Sequence, residues 1–383
     1  MNEELKKFEN LKKSPLFNLS LSSKELFHSN FLYWLGESHK VEFGEIFKDF
    51  LKILPEDNNL EIEKIHREKD NIDLSFTYYN EQEIIIENKV KSIAYIEQLK
   101  KYSEKNTDKK NYILLSLSKP VFFEDKDKFV IKANNNIDVE WNFLSYSTLL
   151  GMLKTLSKKI QGSYHQNIIN DYCNFIDGLI EIESYCNLTE DDCFPFEKNE
   201  IFSDIKEIRL HDFYLKRKYE LLAFQVSNKI KETKEDSIFF GSLSNWEKQK
   251  DKPIYIGHGM TRGLGLMDIK YKISTNVSLG IQIQGDHYRM VVENTVDLAS
   301  IAGKILEEKL WFDFSENFDE KEVYPKGEKE FNKYGATFFY KSVNLVSDPN
   351  LSISDLIKFI LNDLNKIEAN KDDILNVINQ SIK

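Results

Sequence analysis

A run of β-branched residues that ends in charged side chains restricts this chain more than any other feature. Residues 84–90 read IIIENKV, a pattern that predicts a buried strand. Burying a charged side chain alone is costly, so Glu87 and Lys89 are expected to have a partner or an ion. Side chains two positions apart in a strand point to the same side, so these two residues should share one face.

Asp73, in the preceding stretch NIDLSFTYY, is expected to join that face. Asn80 and Glu81 suit a hairpin turn between the two stretches. A tight turn there pairs positions whose numbers add up to about 160 or 161, which places Asp73 opposite Glu87 or its neighbour. The sequence thus predicts two carboxylates and one lysine on a single patch.

The acidic-x-Lys pattern is weak evidence when taken alone. Charged residues make up 30% of the chain, and Glu61–Glu63–Lys64 shows how easily such patterns arise. The alternative is a structural ion pair between Lys89 and a carboxylate. A buried ion pair contributes little to stability and more often marks a site, so a functional interpretation is favoured.

The order of elements around the patch predicts an α/β fold in which helices flank a mixed central sheet. The predicted elements are helices at 26–35 (N-capped by Ser23), 43–54 (ended by Pro55), 92–104, 145–156 and 164–182, and strands at 60–67, 111–118 and 138–143. The acidic loop 186–199 is the best boundary candidate, which gives domains at 1–185 and 200–383.

The second half is expected to be an α+β domain with an antiparallel sheet. One helix at about 204–232 is followed by short alternating stretches, and the tail at 352–382 suits one or two amphipathic helices. The segment 257–265, GHGMTRGLG, superficially resembles a nucleotide-binding loop. It lacks the Lys-Ser/Thr ending and leads into a predicted strand, so a hairpin connection is favoured.

Composition narrows the class of protein. With 383 residues, 41% hydrophobic, two packed domains are the natural expectation. No apolar run reaches the roughly 18–20 residues that span a bilayer, and the charged N-terminus does not read as a signal peptide, so we expect a cytoplasmic protein. Three cysteines without C-x-x-C spacing predict reduced, unligated thiols, namely Cys173, Cys186 and Cys193; with His211 they lack zinc-finger spacing.

The net charge of −11 argues against a protein that coats nucleic acid non-specifically. It leaves room for a local basic rim, and several lysines crowd around the patch, although such runs are usually solvated helix faces. They are Lys89, Lys91, Lys100, Lys101, Lys105, Lys109 and Lys110. The acidic balance also suggests that substrate binding needs a gating event or a second subunit, as in a homo-oligomer.

Taken together, these residues resemble the PD-(D/E)XK nuclease superfamily over about residues 20–180. The similarity rests on 71–73, on IIIENK and on Gln98-Leu99-x-x-Tyr102. It also includes the helix ELFHSNFLYWL at 25–35, which is similar to the Glu-x-x-His-Ser helix of a bacterial branch. One departure is Ile72, which stands where the eponymous proline would be, a variable position in such folds.

The resemblance implies a restriction-endonuclease-like sheet and a set of site residues. Asp73 and Glu87 would be ligands of Mg²⁺ or Mn²⁺, Lys89 the catalytic lysine, Gln98 the polar residue of the following helix and Glu25 the acidic residue of the first helix. Hydrolysis of a phosphodiester needs an activated water and charge compensation, which carboxylate-bound Mg²⁺ supplies. The carbonyl of Asn88 is expected as a further metal ligand.

The implied activity is a Mg²⁺-dependent phosphodiesterase, an endo- or exonuclease acting on DNA rather than RNA, with a role in defence against foreign DNA. The alternative is a non-cutting nucleic-acid-binding or sensor protein on the same scaffold. The presence of Asp73, Glu87 and Lys89 together argues against it, because a decayed site usually loses one of them. Two further residues stay open: His28 suits packing better than catalysis, and Glu25 suits a first-turn capping position equally well.

Overall fold

In the computed structural model, the chain forms two compact units. The N-terminal unit comprises Met1–Cys186 and Asp204–Tyr214, and the C-terminal unit comprises Asn187–Ser203 and Leu215–Lys383. That the predicted domains at 1–185 and 200–383 fold as separate domains stays a prediction. The described residues are 9–20, 25–52, 61–79, 82–105, 110–133, 137–234, 237–243, 252–294, 298–327, 330–345 and 351–381.

The N-terminal unit contains a six-stranded mixed sheet, which confirms the predicted fold class. Its strands are β1 (Ile62–Lys69), β2 (Ile72–Tyr78), β3 (Glu83–Lys89), β4 (Lys110–Ser116), β5 (Lys128–Lys132) and β6 (Asp138–Ser145). They lie in the order β1-β2-β3-β4-β6-β5. Strand β3 runs parallel to β4, and β4 parallel to β6, while the other pairs are antiparallel. The edge strand β5 was not predicted.

Helices cover both faces of this sheet, which explains the unbroken β-branched run in β3. Ile84, Ile85 and Ile86 are all buried, because successive side chains enter opposite hydrophobic layers. The helices are Pro15–Ser20, Glu25–Ser38, Lys40–Leu51, Ile96–Lys105, Tyr146–Lys159 and Ser163–Ser184. The helix predicted at 43–54 ends earlier, at Lys52 in a left-handed conformation (φ 55°). Ser23, Pro55, Asn80, Glu81 and Lys109 lie outside the described residues.

The C-terminal unit contains a seven-stranded sheet in the order β12-β13-β11-β10-β9-β8-β7. Its strands are β7 (Ile238–Ser242), β8 (Ile254–Thr261), β9 (Leu264–Lys272), β10 (Val277–Gln284), β11 (His287–Asn294), β12 (Asn332–Tyr334) and β13 (Phe338–Asn344). The prediction of an antiparallel sheet needs one correction: the edge strand β7 pairs with β8 in parallel.

The glycine-rich segment is a hairpin connection, as predicted. Thr261 pairs with Leu264, so Arg262 and Gly263 alone form the turn between β8 and β9. Both have positive φ angles, 53° and 78°, which a two-residue turn of this type requires. The segment therefore offers no phosphate-binding helix start.

The single helix predicted at 204–232 is wrong. The structure has two helices, Glu200–Glu207 and His211–Lys231, separated where Arg209 adopts a left-handed conformation (φ 58°). The Leu210 N–H then bonds back to the Ile205 carbonyl over 3.0 Å and closes the first helix. The remaining helices are Leu298–Glu307, Ile353–Ala369 and Lys371–Ser381, the last two matching the predicted tail.

Among the described helices, none combines the length and apolar character that crossing a bilayer requires. The three cysteines form no disulfide with one another; Cys173 and Cys186 are buried and Cys193 is exposed.

Candidate active site

Glu87 lies near the end of β3 with only 2% of its surface exposed. Its Oε1 atom is 2.6 Å from Nζ of Lys89 and accepts a 2.7 Å hydrogen bond from Nε2 of Gln98. Its Oε2 atom is buried and has no hydrogen-bond partner in the described part of the chain. Oε1 is therefore held in place by two partners, while the lone pairs of Oε2 accept no hydrogen bond from the described residues.

Burial also changes the charge state of this pair. It raises the pKa of Glu87 to about 8; Lys89 opposes this shift and the nearby Asp73 adds to it. Burial alone would lower the pKa of Lys89, but the carboxylates of Glu87, Glu25 and Asp73 together raise it. Lys89 thus stays cationic, and the patch as a whole favours additional positive charge.

Asp73 follows from the register of the β2–β3 hairpin. Leu74 pairs with Ile86. Asp73 and Glu87 are the next residues on the two strands, so the same register places them opposite each other, as predicted. Oδ2 of Asp73 accepts a 2.7 Å hydrogen bond from the backbone N–H of Asn88. Burial raises the pKa of Asp73, whereas that N–H and Lys89 lower it. The expected grouping of Asp73, Glu87 and Lys89 is therefore present.

The helix Ile96–Lys105 contributes Gln98 and Tyr102 to the same patch. Besides its bond to Glu87, Nε2 of Gln98 donates to the Tyr102 hydroxyl over 3.2 Å. Trp141 anchors this helix to the sheet, because its indole N–H donates to Oγ of Ser103 over 2.9 Å. Lys100 and Lys101 are exposed on this helix. The side chains of Lys105, Lys109 and Lys110 lie outside the described residues.

Glu25 opens the first helix and reaches the loop that follows β3. Its Oε1 atom accepts hydrogen bonds from the backbone N–H of Ser92 (3.1 Å) and from the Ser92 hydroxyl. The Glu25 carboxylate also acts electrostatically on Asp73, Glu87 and Lys89, so it lies close to the trio. The Ser92 contact ties the start of the first helix to the loop after β3, and a site role for Glu25 stays a prediction.

The side chain of Asn88 points away from the trio and joins β3 to two helices. Its Nδ2 atom donates to Oγ of Ser29 over 3.2 Å, and its Oδ1 atom accepts from the Tyr146 hydroxyl over 2.8 Å. Tyr146 in turn interacts with the hydroxyl of Tyr172. Asn88 is 1% exposed, so these bonds replace the water it would otherwise need.

His28 ends this buried chain of polar groups. Its Nδ1 atom lies 2.8 Å from the Tyr172 hydroxyl, and its ring stacks on Phe175 with centroids 5.3 Å apart. Burial lowers the pKa of His28 to about 3, so the ring is neutral. The packing interpretation of His28 fits these contacts.

Tyr146, Tyr172 and Ser92 were not identified from the sequence. They lie far along the chain from the residues they support, and no local pattern distinguishes them from core residues. The one available signal was the helix start at Ser145, whose side chain accepts the Thr148 N–H directly before Tyr146.

Comparison with known protein families finds one similarity, and it lies in this unit. The family model of the PD-(D/E)XK nuclease superfamily matches residues 16–174. This segment is therefore similar to that superfamily. Comparisons with curated proteins and with solved structures gave no match. Similarity to the PD-(D/E)XK superfamily suggests a nuclease, which acts on nucleic acid, and such nucleases generally use divalent metal ions.

The patch fits such an ion. Oε2 of Glu87 is a buried carboxyl oxygen without a hydrogen-bond partner among the described residues, and a hard divalent cation prefers carboxylate oxygens. Within the described ranges, no three His, Cys, Asp or Glu side chains gather closely enough to hold a metal by themselves. Asp73 and Glu87 would therefore be joined by backbone, water or phosphate oxygens, as Mg²⁺ sites commonly are.

Proposed function

We propose that the chain is a metal-dependent nuclease that hydrolyses phosphodiester bonds in DNA at the patch formed by Asp73, Glu87 and Lys89. The observation that carries this proposal is the buried Glu87 carboxylate. One of its oxygens is fixed by Lys89 and Gln98, and the other is unpartnered within the described structure. A purely structural ion pair would be expected to satisfy both oxygens.

Each residue has a distinct part in this proposal. Asp73 and Glu87 would hold Mg²⁺ or Mn²⁺, with the carbonyl of Asn88 as a further ligand. A bound divalent ion supplies charge compensation at the phosphate and a water of lowered pKa. Lys89 would orient the attacking water and neutralise charge that develops on the phosphate. Gln98 holds Glu87 in position through the 2.7 Å bond, and Glu25 adds negative charge beside the metal ligands.

The test is cleavage by the purified full chain. Supercoiled plasmid, linear duplex DNA, single-stranded DNA and RNA of the same sequence are incubated with Mg²⁺, with Mn²⁺ or with EDTA. We expect metal-dependent cleavage of DNA that Asp73→Ala, Glu87→Gln and Lys89→Ala each reduce by about 100-fold or more, the effect typical of losing a transition-state contact. Nicking of plasmid separates an endonuclease from an exonuclease.

A matched control is available in the same sheet. Lys64 Nζ lies 2.9 Å from Oε1 of Glu63, and this pair is far more exposed than Glu87 and Lys89. Glu63→Gln and Lys64→Ala should therefore leave cleavage unchanged. If the wild type cuts none of these substrates, or if Lys89→Ala cuts as well as Lys64→Ala, the non-cutting binding protein is the better description.

We also propose a cytoplasmic role in defence against foreign DNA, which rests on the type of enzyme alone. Bacteria that express the chain should then form fewer phage plaques than bacteria that express Lys89→Ala. Equal plaque numbers with both, at equal protein level, would contradict the defence role while leaving the nuclease proposal intact.

A further inference from the structure

One face of the C-terminal sheet carries a row of polar residues among its buried side chains. The strand register aligns Asp268 on β9 with Gln282 on β10, Arg289 on β11 and Ser342 on β13. The alternating residues Met267, Ile281, Met290 and Val343 are buried on the opposite face. Because a strand alternates its faces, the polar row lies on the face away from these four residues.

Lys270 forms ion pairs with two carboxylates on this face. Its Nζ atom lies 2.5 Å from Oε2 of Glu293 and 3.4 Å from Oδ2 of Asp268. Lys270 and Asp268 are each 7% exposed, so these charges are largely removed from water. Such burial is costly unless every group is paired.

Two groups of this face keep unused hydrogen-bonding capacity. Oδ1 of Asp268 is buried without a hydrogen bond of normal geometry, although Gln282 approaches that carboxylate. Arg289 donates from Nη1 to Oε1 of Gln282 over 2.6 Å, but its Nε atom is buried and has no hydrogen-bond partner among the residues that the structure describes. Among the described residues, the ion pairs of this face are made by Lys270 and none by Arg289.

Aromatic rings border these groups. The guanidinium of Arg289 lies over the ring of Tyr340 on β13, 4.8 Å from its centre. Arg262, in the β8–β9 turn, lies 5.4 Å from the centre of the Tyr334 ring on β12. In a flat sheet β9 and β12 would be about 19 Å apart, four strand spacings. The 5.4 Å distance therefore requires the sheet to curve between β9 and β12.

We propose that this face binds a nucleotide, with a phosphate at Arg289 and a base N–H donor at Asp268. Arginine is the preferred partner of phosphate oxygens, and a buried carboxylate oxygen accepts from a base amino or imino group. Tyrosine rings and guanidinium planes provide stacking surfaces that any base can use. The polar donors alone would also suit an amino acid, but the bordering tyrosines favour a planar base.

The electrostatics of the site supports a ligand that carries both an oxyanion and an N–H donor. Burial lowers the pKa of Arg289 and raises the pKa of Asp268, so each charge is less stable here than in water. A ligand that brings an oxyanion to the arginine and a donor to the aspartate would compensate both. The site lies in the other unit from the nuclease patch, so this inference does not depend on the proposed function.

The experiment measures binding to the full chain by calorimetry in EDTA. AMP, CMP, GMP and UMP are compared with inorganic phosphate, with adenosine and with a single-stranded tetranucleotide. All titrations use the Glu87→Gln background, so that the proposed nuclease patch does not contribute metal-dependent binding. We expect AMP to bind at least tenfold more tightly than either phosphate or adenosine, and Arg289→Lys and Tyr340→Ala each to weaken AMP at least tenfold.

Arg67→Lys is the matched control, because Arg67 also lies over a tyrosine, Tyr33, at 5.5 Å but has no such polar face. It should leave AMP binding unchanged, and thermal unfolding confirms that each variant is folded. If the tetranucleotide binds more tightly than AMP, the natural ligand is a single-stranded nucleic acid. If the two bind equally, the natural ligand is a free nucleotide. Both results support the site. Phosphate binding as tight as AMP, no binding of any nucleotide at millimolar concentration, or folded variants that bind like wild type would overturn it.

Discussion

The backbone N–H of Asn88 donates a 2.7 Å hydrogen bond to Oδ2 of Asp73, and the Asn88 side chain is held from the opposite face by Tyr146 and Ser29. The residue between Glu87 and Lys89 therefore connects the carboxylate of the neighbouring strand to the helices beneath the sheet. Groups that orient a metal ligand in this way usually matter for affinity.

Removing the hydroxyl of Tyr146 should weaken metal binding without touching the patch. Tyr146→Phe leaves Oδ1 of Asn88 without its 2.8 Å donor, so Asn88 and the N–H that holds Asp73 become less restrained. We expect an Mn²⁺ dissociation constant about tenfold higher, at the low end of such indirect effects. Isothermal titration gives the constant. Tyr164→Phe, at a tyrosine that is 73% exposed, should change nothing.

Metal ions should stabilise the wild type but not Glu87→Gln. A ligand that binds only the folded state raises the free energy of unfolding by about 2.7 kcal/mol at 100 times its dissociation constant. Glu87 contributes the unpartnered oxygen on which we expect the ion to depend. Thermal unfolding with and without Mn²⁺ measures the difference. A Glu87→Gln protein stabilised as strongly as Glu63→Gln would place the ion elsewhere.

His28 should make the protein sensitive to acid. Its folded pKa of about 3 lies below the ordinary value of 6.5, because burial disfavours the charged ring. The unfolded chain thus binds the proton more readily, and the stability that His28 contributes above pH 6.5 is lost as the pH falls toward 3. Each pH unit within that window changes the free energy of unfolding by at most about 1.4 kcal/mol.

His28→Gln removes this titration. Denaturant unfolding between pH 7 and pH 4.5 should show a loss of stability that is smaller in the variant by about 2 kcal/mol. An unchanged slope in His28→Gln would mean that the ring is protonated or accessible in the folded state.

Adding one methyl group at two glycines should have opposite effects on stability. A Cβ at Gly265 would lie 2.1 Å from the buried ring of Tyr219, whose hydroxyl is bound to the Gly285 carbonyl over 3.0 Å. Gly265→Ala should therefore cost about 1–3 kcal/mol. At Gly151, inside the helix Tyr146–Lys159, a Cβ meets nothing within 4 Å. Gly151→Ala should stabilise the fold by about 1 kcal/mol in denaturant unfolding.

The trio could be predicted because local rules place it. Strand periodicity sets Glu87 and Lys89 on one face, and the hairpin register brings Asp73 to the same position. The supporting contacts could not be predicted, since they join distant parts of the chain: Ser92 to Glu25, and Tyr146 to Asn88. Both contacts depend on how the helices pack against the sheet, and that packing is determined by the shapes of many side chains together.

The errors in the fold have local physical causes. The strand β5 was missed because it lies at the sheet edge, where an exposed residue such as Val130 breaks the expected alternation. The helix at 204–232 was predicted as continuous because Arg209 gives no warning that it adopts a left-handed conformation. Glycine or asparagine would have marked that break.

Because Glu87 and Lys89 lie two residues apart on one strand, the pleat of β3 sets their separation, and no loop has to fold correctly to bring them together. The relation of this pair to Asp73 instead depends on the β2–β3 pairing. A one-residue slip of that pairing would keep the amine beside Glu87 yet carry the third acid to the far side of the sheet. The alignment of this hairpin is therefore the condition on which the whole trio depends.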